Sequence, residues 1–280
     1  MLEAKRFKVS AAALVIHSFC PAATGLDDFR RFCEALGAAG VDLNSISDIV
    51  TLSGMALRIG WVADTVPPST AKVYRSVDWV TDFGRTRLSD NFFMRDFLFS
   101  DIAAVHGLSN IPDDPQLAIA AGSKLCQELL EPLQARFGRI AIRSAYRSAE
   151  VNAFGNAKNY ACASNAANAS HHIWDLLDSN NCMGAMACIV VASVWGRADQ
   201  DPEAWKRLAW WIHDHLPYSE MTFCAKVWAF NLNWHEQPQR QISSWTESPR
   251  ILTKPGMDNH AGSHAAQWQP LIGAIDAKRN

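Results

Sequence analysis

An arginine, a tyrosine and an asparagine occur together directly after a predicted strand. Residues 144–152 read Ser-Ala-Tyr-Arg-Ser-Ala-Glu-Val-Asn, and they come just after the predicted strand at residues 139–142. A corner between a strand and a helix is a place where a rigid scaffold exposes polar side chains to a cleft. The guanidinium fork of Arg147 matches the two oxygens of a peptide carboxylate. The pattern therefore predicts a carboxylate-binding Arg147, the alternative being a structural ion pair with a surface Asp or Glu.

A histidine pair and an apolar run lie further along the chain. Ser170-His171-His172 precedes Gly184–Val191, which reads Gly-Ala-Met-Ala-Cys-Ile-Val-Val. A continuous apolar run of this length is typical of a strand that is buried on both faces. We therefore expect Gly184–Val191 in the interior of a sheet, and we expect His172 to line the same concavity as Arg147.

The order of these segments resembles that of the zinc peptidases that cut D-Ala-D-Ala and related bacterial cell-wall peptides, whose core is shared with the hedgehog signalling domain. The resemblance covers about residues 88–240 and includes residues 91–97, Asn110-Ile111-Pro112 and the amphipathic run 118–137. It implies zinc-assisted amide hydrolysis, with a peptide or peptidoglycan fragment as the partner. It also implies catalytic roles for Arg147, Tyr146 and Cys224 and substrate binding by Arg147 and Asn152.

The family's metal positions carry other residue types here. His172 matches the histidine of the family's Ser-x-His, whereas Cys188 replaces the ligand aspartate and Asn231 replaces a later histidine. Thiolates and imidazoles are both zinc ligands. The resemblance therefore implies a zinc site of His172, Cys188 and His235, the last being the imidazole nearest to Asn231. Two aspartates offer alternatives to the thiolate; they are Asp175 and Asp178.

The family's catalytic glutamate is also replaced, because Cys224 stands at its position. Glu220 and Glu236 are displaced candidates for the general base. Cys188 and Cys224, which we expect on neighbouring strands, could instead form a disulfide, a thiol site or a nucleophile paired with a histidine. Two hypotheses follow: a divergent metallopeptidase or amidase, and an inactive peptide-binding or wall-binding module that has kept the fold and lost the metal.

The composition indicates a globular protein. The chain has 280 residues, 49% hydrophobic and 19% charged, and a formal net charge of −2. This charge argues against a nucleic-acid partner, since nucleic-acid binders cluster Lys and Arg. The 7 cysteines show no CxxC pair and so no disulfide framework. A basic start and a short apolar run only loosely match a signal peptide, which favours a cytoplasmic location over secretion, and no run is long enough to span a membrane.

The predicted fold class is α+β, with a central antiparallel sheet, helices packed on one face and an N-terminal extension. The domains are an extension or subdomain of unknown role over residues 1–87, a zinc peptidase-like domain over 88–250 and a tail over 251–280. Residues 88–244 should be compact, with Phe92, Phe93 and Phe97 near the helix at 117–137. The other predicted elements are helices at 27–39, at Ala204–His215 and from about Ser263, and a strand at 227–234.

Overall fold

The computed structural model describes residues 76–197, 200–224, 229–245 and 250–277. They all belong to one unit, Ser76–Asn280, which is separate from Met1–Arg75. The predicted helix at 27–39 and the signal-like N-terminus lie outside the described residues. The unit is larger than the predicted domain over 88–250. Helix α1 (Val77–Gly84) packs against the 3₁₀ turn Met94–Phe97, and residues after 250 contribute a strand and a helix to the same unit.

Most described helices of the unit come before the third strand, and four strands then follow one another without a described helix between them. The helix Ala204–His215 coincides with its predicted bounds, and the last helix begins close to the predicted Ser263. After α1 and the 3₁₀ turn, the elements are α2 (Asp101–His106), α3 (Pro115–Leu125), a π-helical turn (Cys126–Leu130), α4 (Glu131–Phe137), β1 (Ile140–Ser144), α5 (Ala149–Ala157), α6 (Asn165–Asn168), β2 (Gly184–Val191), α7 (Ala192–Trp195), α8 (Ala204–His215), β3 (Glu220–Phe223), β4 (Phe230–His235), β5 (Gln241–Ser244), β6 (Ile251–Thr253) and α9 (Ala265–Asp276).

The strands form one sheet in the order β1-β2-β4-β3-β5-β6. Every pairing is antiparallel except that of β3 with β5, so the sheet is mixed, whereas the sequence predicted an antiparallel one. The α+β class is confirmed. The apolar strand β2 is paired on both sides and buried along almost its whole length, as predicted.

Helices cover one face of the sheet. Alternate residues of β2 and β4 enter the core on this side, including Ile189 and Leu232, and α3 packs directly on both strands. Phe92 and Phe97 join the same core, whereas Phe93 is 40% exposed and lies outside it. The period of two along each strand therefore leaves the other face free to carry polar groups.

The long helix predicted over residues 117–137 contains a π-helical turn between α3 and α4. Pro132 lies in the first turn of α4 and has no N–H to donate to the carbonyl of Glu128. Its ring would also collide with that carbonyl in a regular α-helix. The wider π turn accommodates the proline without ending the helix.

Among the described strands, none pairs with the first half of β2 on the side of β1, because β1 pairs only with residues 188–191. Residues 171–174 lie along this edge instead. The backbone N–H of Met186 donates to the carbonyl of His171 (2.8 Å), and the indole of Trp174 donates to the carbonyl of Met186 (3.1 Å). The segment that contains His172 is thereby attached to the sheet.

Gly184 allows the close approach of this segment to β2. A Cβ at this position would lie 2.3 Å from the carbonyl oxygen of Ser170 and 3.0 Å from that of Trp234. Both contacts are with backbone, which cannot rotate away. By contrast, a Cβ at Gly273 in α9 would meet no atom within 4 Å.

Gly184→Ala should lower the free energy of unfolding by about 2 kcal/mol or more, because backbone atoms must move to admit the methyl group. Gly273→Ala, the matched control, should raise it by up to about 1 kcal/mol, since alanine favours helix. Urea denaturation of both variants measures the two effects. Equal stability of Gly184→Ala and the wild type would contradict the close approach.

Candidate functional site

The corner after β1 is fixed by a buried asparagine from the preceding loop. The side-chain amide of Asn110 donates to the carbonyls of Leu98 (2.8 Å) and Tyr146 (3.0 Å). Its oxygen accepts from the backbone N–H of Ser148 (2.8 Å). Ser148 also caps α5, where its hydroxyl accepts from the backbone N–H of Val151. The corner that carries Arg147 is therefore held in one conformation from both sides.

His172 and the corner exchange hydrogen bonds. The backbone N–H of Arg147 donates to the carbonyl of His172 (2.8 Å), and Nδ1 of His172 donates to the carbonyl of Ala145 (2.7 Å). A carbonyl only accepts, so Nδ1 carries the proton and Nε2 of the neutral ring keeps its lone pair. Burial, followed by the positive charge of Arg147, lowers the pKa of His172 to about 3. The imidazole is therefore neutral at physiological pH.

A buried asparagine orients the guanidinium of Arg147. Nη1 of Arg147 donates to Oδ1 of Asn152 (3.3 Å) and contacts the sulfur of Cys162 (2.7 Å). Asn152 is 0% exposed. Its oxygen also accepts from Asn168 (2.8 Å), and its amide donates to the carbonyl of Ala163 (3.0 Å) and to Asn165 (2.8 Å). These hydrogen bonds use both the oxygen and the amide of the Asn152 side chain. Asn152 therefore orients Arg147, whereas the sequence predicted that Asn152 binds the substrate directly.

Arg147 and His172 line one cavity of about 520 Å³, and the sequence placed both in one concavity. Polar groups form its inner part, and exposed apolar side chains form much of its rim, including Phe99 at 64% and Trp245 at 66% exposure. The residues that line it are Phe99, Ser100, Asp101, Ile102, Val105, His106, Ser144, Tyr146, Arg147, Tyr160, Ala161, Cys162, His172, Cys188, Cys224, Asn231 and Trp245.

Arg147 lacks an acidic partner among the residues that the structure describes. None of the described ion pairs includes it, and only its Nη1 makes side-chain hydrogen bonds, so Nε and Nη2 have no protein acceptor in that part of the chain. Burial lowers the pKa of Arg147, although the group remains charged. The cavity thus contains a partly desolvated cation whose Nε and Nη2 are not hydrogen-bonded to any of the described residues.

Two thiols lie on the inner wall of the cavity. In the sheet register, Cys188 of β2 pairs with Asn231 of β4, which pairs with Thr222 of β3, and Cys224 follows β3. Strand β4 therefore separates the two cysteines, which the sequence predicted on neighbouring strands. A hydrogen bond from Cys188 lowers the pKa of Cys224 to about 7, and the same interaction raises the pKa of Cys188. Both thiols are free.

Tyr146, which was predicted to be catalytic, is 0% exposed and packs against Trp174. Burial raises the pKa of Tyr146, and the nearby carboxylate of Asp175 raises it further. The hydroxyl has no hydrogen-bond partner with good geometry in the structure. Tyr146 borders the cavity, but its hydroxyl lies beside Asp175, which is absent from the lining. This arrangement suits packing of the corner better than proton transfer in the cavity.

The structure does not bring the predicted zinc ligands together. His172 and Cys188 line the cavity, but His235 pairs with Gly184 at the other end of β2, about 13 Å of strand away from the level of Cys188. Nε2 of His235 lies 3.3 Å from Asp178 instead. Among the described residues, no group of three or more His, Cys, Asp or Glu could hold a metal ion. The donor set predicted for zinc therefore does not fit the geometry.

The alternative carboxylates have other partners. Asp175 accepts from the backbone N–H of Asp113 (2.7 Å), and Asp178 accepts from the backbone of Asn180 and Cys182. The two displaced glutamates are likewise absent from the cavity lining: Glu220 lies 3.4 Å from His171, and Glu236 accepts from the backbone of Met183.

Several residues of the site carry no strong signal in the sequence. Cys162 is an isolated cysteine in a loop, and it reaches Arg147 because Gly155 of α5 leaves room: a Cβ at Gly155 would lie 2.6 Å from its sulfur. The asparagines that support Asn152 lie one helical turn apart in the Asn-Ala-Ala-Asn of α6. This spacing puts both on one face and was the available clue.

A family model described as a domain of unknown function (DUF6946) matches residues 1–66 of the chain. The matched segment is outside the described residues and does not include the cavity. No curated protein and no solved structure matches the chain. Among the described helices, none is both long enough and apolar enough to cross a membrane.

Protonation of buried His172 should destabilise the fold as the pH falls. Its pKa of about 3 lies below the 6.5 of an unperturbed histidine, so the unfolded chain binds more protons between these values and stability rises with pH there. His172→Gln should reduce this slope by as much as about 1.4 kcal/mol per pH unit. Urea denaturation at several pH values between 4 and 7 measures it.

His106→Gln is the control for this measurement, because His106 is exposed. It should leave the pH dependence close to that of the wild type. An unchanged slope in His172→Gln would show that His172 is not held neutral in the folded protein.

Proposed function

We propose that this protein recognises the carboxylate end of a short peptide, of the peptidoglycan type suggested by the resemblance, without hydrolysing it. The observation that carries the proposal is the half-buried Arg147, whose Nε and Nη2 have no acceptor among the described residues. These donors are arranged as a fork and suit a bidentate carboxylate. Burial strengthens such a pair, because water competes less for the charges.

The surroundings of Arg147 favour an anion. Asn152 contributes only its oxygen to the guanidinium, so the positive charge is oriented but not neutralised. The neutral His172 adds no second charge and presents Nε2 as an acceptor. Asp101 is the one carboxylate among the described residues that line the cavity, and it is exposed at the start of α2. A ligand carboxylate therefore meets little repulsion.

The rest of the ligand would contact the rim of the cavity. Phe99, Tyr160 and Trp245 are large, exposed and arranged around the opening. Exposed apolar side chains around a pocket with a few polar groups are typical of a binding site. Side chains of a peptide, or the apolar face of a sugar, would pack on this rim while the carboxylate reaches Arg147.

Two further features support recognition without cleavage. The positions that the resemblance assigns to the metal and the base, occupied by His172, Cys188, Asn231 and Cys224, all line the cavity. This agrees with an origin in the zinc peptidase fold. They now provide two thiols and an amide where zinc-assisted hydrolysis needs an imidazole and two carboxylates. Glu220 and Glu236 have other partners, so neither displaced candidate for the general base is among the described residues of the lining.

Arg147→Ala should weaken binding of a peptide ending in D-Ala-D-Ala by at least about tenfold, because the variant loses a charge-assisted pair. Isothermal titration calorimetry with the free-acid peptide and with its C-terminal amide measures this. The wild type should prefer the acid, and the variant should bind both peptides equally. The melting temperature should change little, since Arg147 has no ionic partner to lose among the described residues.

Arg85→Ala is the matched control, because it removes an equal charge from an exposed arginine paired with Asp82. It should retain the wild-type affinity. Equal affinity of the wild type for the acid and the amide, or release of D-Ala from the peptide, would contradict the proposal.

Asn152→Asp should also weaken carboxylate binding, by a different route. The new carboxylate would pair with Nη1 of Arg147 and partly neutralise the charge that a ligand needs. Asn152→Asp also loses two donated hydrogen bonds, to Ala163 and Asn165, so the melting temperature should fall. Calorimetry together with thermal denaturation separates the two effects, because Arg147→Ala affects only the first.

A further inference from the structure

The cavity contains more thiols than carboxylate recognition requires. Cys162, Cys188 and Cys224 line it, whereas the other described cysteines, Cys126 and Cys182, are buried elsewhere. All of them are free. A group of thiols beside a guanidinium in an open cavity is the setting in which cysteines react, because a positive neighbour stabilises the thiolate.

Cys224 is the best placed nucleophile of the three. It follows the end of β3, is partly exposed and has the thiol of Cys188 and the charge of Arg143 nearby. Cys188 sits within the interior strand β2. The sulfur of Cys162 is already engaged by Nη1 of Arg147. Cys224 is thus the partly exposed thiol that lies at the end of a strand and is not already in contact with the guanidinium.

The sheet order limits what Cys188 can do. Strand β4 lies between β2 and β3, so two interstrand spacings, roughly 10 Å, separate the backbones of the strands that carry Cys188 and Cys224. A disulfide needs a Cα–Cα distance of about 4.4–6.8 Å. A disulfide between Cys188 and Cys224 would therefore require β2 and β3 to approach each other across β4.

We propose that the cavity is also a thiol–disulfide exchange site, in which Cys224 takes up one half of a carboxylate-bearing disulfide while Arg147 binds its carboxylate. Only the carboxylate contact rests on the proposed function. The ligand class is a small disulfide with an acidic group, such as the oxidised form of a short cysteine-containing peptide. Such a molecule places an anion and a sulfur within one small ligand, as the cavity places a guanidinium and a thiol in one lining.

The exchange balances without a further oxidant. The thiolate of Cys224 attacks one sulfur of the disulfide, and a Cys224–sulfur bond forms as the sulfur–sulfur bond of the ligand breaks. The departing thiolate leaves with the electron pair and takes a proton from water. The protein retains a mixed disulfide, and the ligand disulfide has been reduced to one free thiol.

The test uses the reduced full-length protein with two probes, 3,3′-dithiodipropionate and the neutral bis(2-hydroxyethyl) disulfide. Peptide mapping by mass spectrometry follows each cysteine separately over time. With 3,3′-dithiodipropionate, Cys224 should be modified at least about tenfold faster than Cys182 or Cys126, and the half-ligand should remain attached. Cys188→Ala should slow this modification, because Cys224 loses the interacting thiol and alanine offers no donor in its place. The measurement on the wild type does not depend on whether a variant folds.

Arg147→Ala separates the two proposals. It should slow the reaction with 3,3′-dithiodipropionate by about tenfold and leave the neutral probe unaffected. If Arg147→Ala changes the reaction rate with neither probe while Cys224 still reacts selectively, the carboxylate contact and the proposed function are wrong. The exchange site itself would then still be supported. Modification of Cys224 no faster than of Cys182, or a Cys188–Cys224 disulfide without retained ligand, would overturn the exchange site, whatever the calorimetry shows.

Discussion

The site depends on a reciprocal pair of hydrogen bonds between two chain segments. One joins the backbone N–H of Arg147 to the carbonyl of His172, and the other joins Nδ1 of His172 to the carbonyl of Ala145. Each bond uses a buried polar group that would be costly to leave unpaired. Together they fix the separation of the two walls, the tautomer of the histidine and the direction in which the arginine leaves the backbone.

The same arrangement lowers the stability of the folded protein. A guanidinium is partly desolvated at Arg147 without a carboxylate among the described residues to compensate it. Such a cost is tolerated where a ligand supplies the missing partner, and functional sites are commonly less stable than the rest of a fold for this reason. The network of amides around Asn152 reduces the cost, because it satisfies one end of the cation while leaving the other directed at the cavity.

The parts of the fold that were predictable from the sequence are those with one dominant local signal. The helix Ala204–His215 and the strand Gly184–Val191 have strong apolar patterns, and the structure reproduces their bounds. The π-helical turn before Pro132 interrupts a pattern that reads as uninterrupted helix, because periodicity does not register a local widening. The parallel pairing of β3 with β5 depends on chain connections and has no local signature.

Only the part of the site that belongs to a recognisable sequence motif could be predicted from the sequence. The corner motif placed Arg147 beside His172, and both line the cavity. His235, which the sequence predicted as the third metal ligand, lies at the other end of β2, because choosing the nearest imidazole ignored the distance along an extended strand. The role of Asn152 also differed, since sequence does not tell which asparagines are fully hydrogen-bonded inside.

The coverage of β2 by residues 171–174 links recognition to solubility. An uncovered strand edge offers unpaired backbone groups to any other chain, and proteins protect such edges to prevent aggregation. Here the loop that contains His172 also covers the edge of the first half of β2. Evolution of a new ligand preference in this loop is therefore constrained by the need to avoid self-association. The part of the lining that α2 contributes does not carry the hydrogen bonds that cover β2, so substitutions there leave this protection in place.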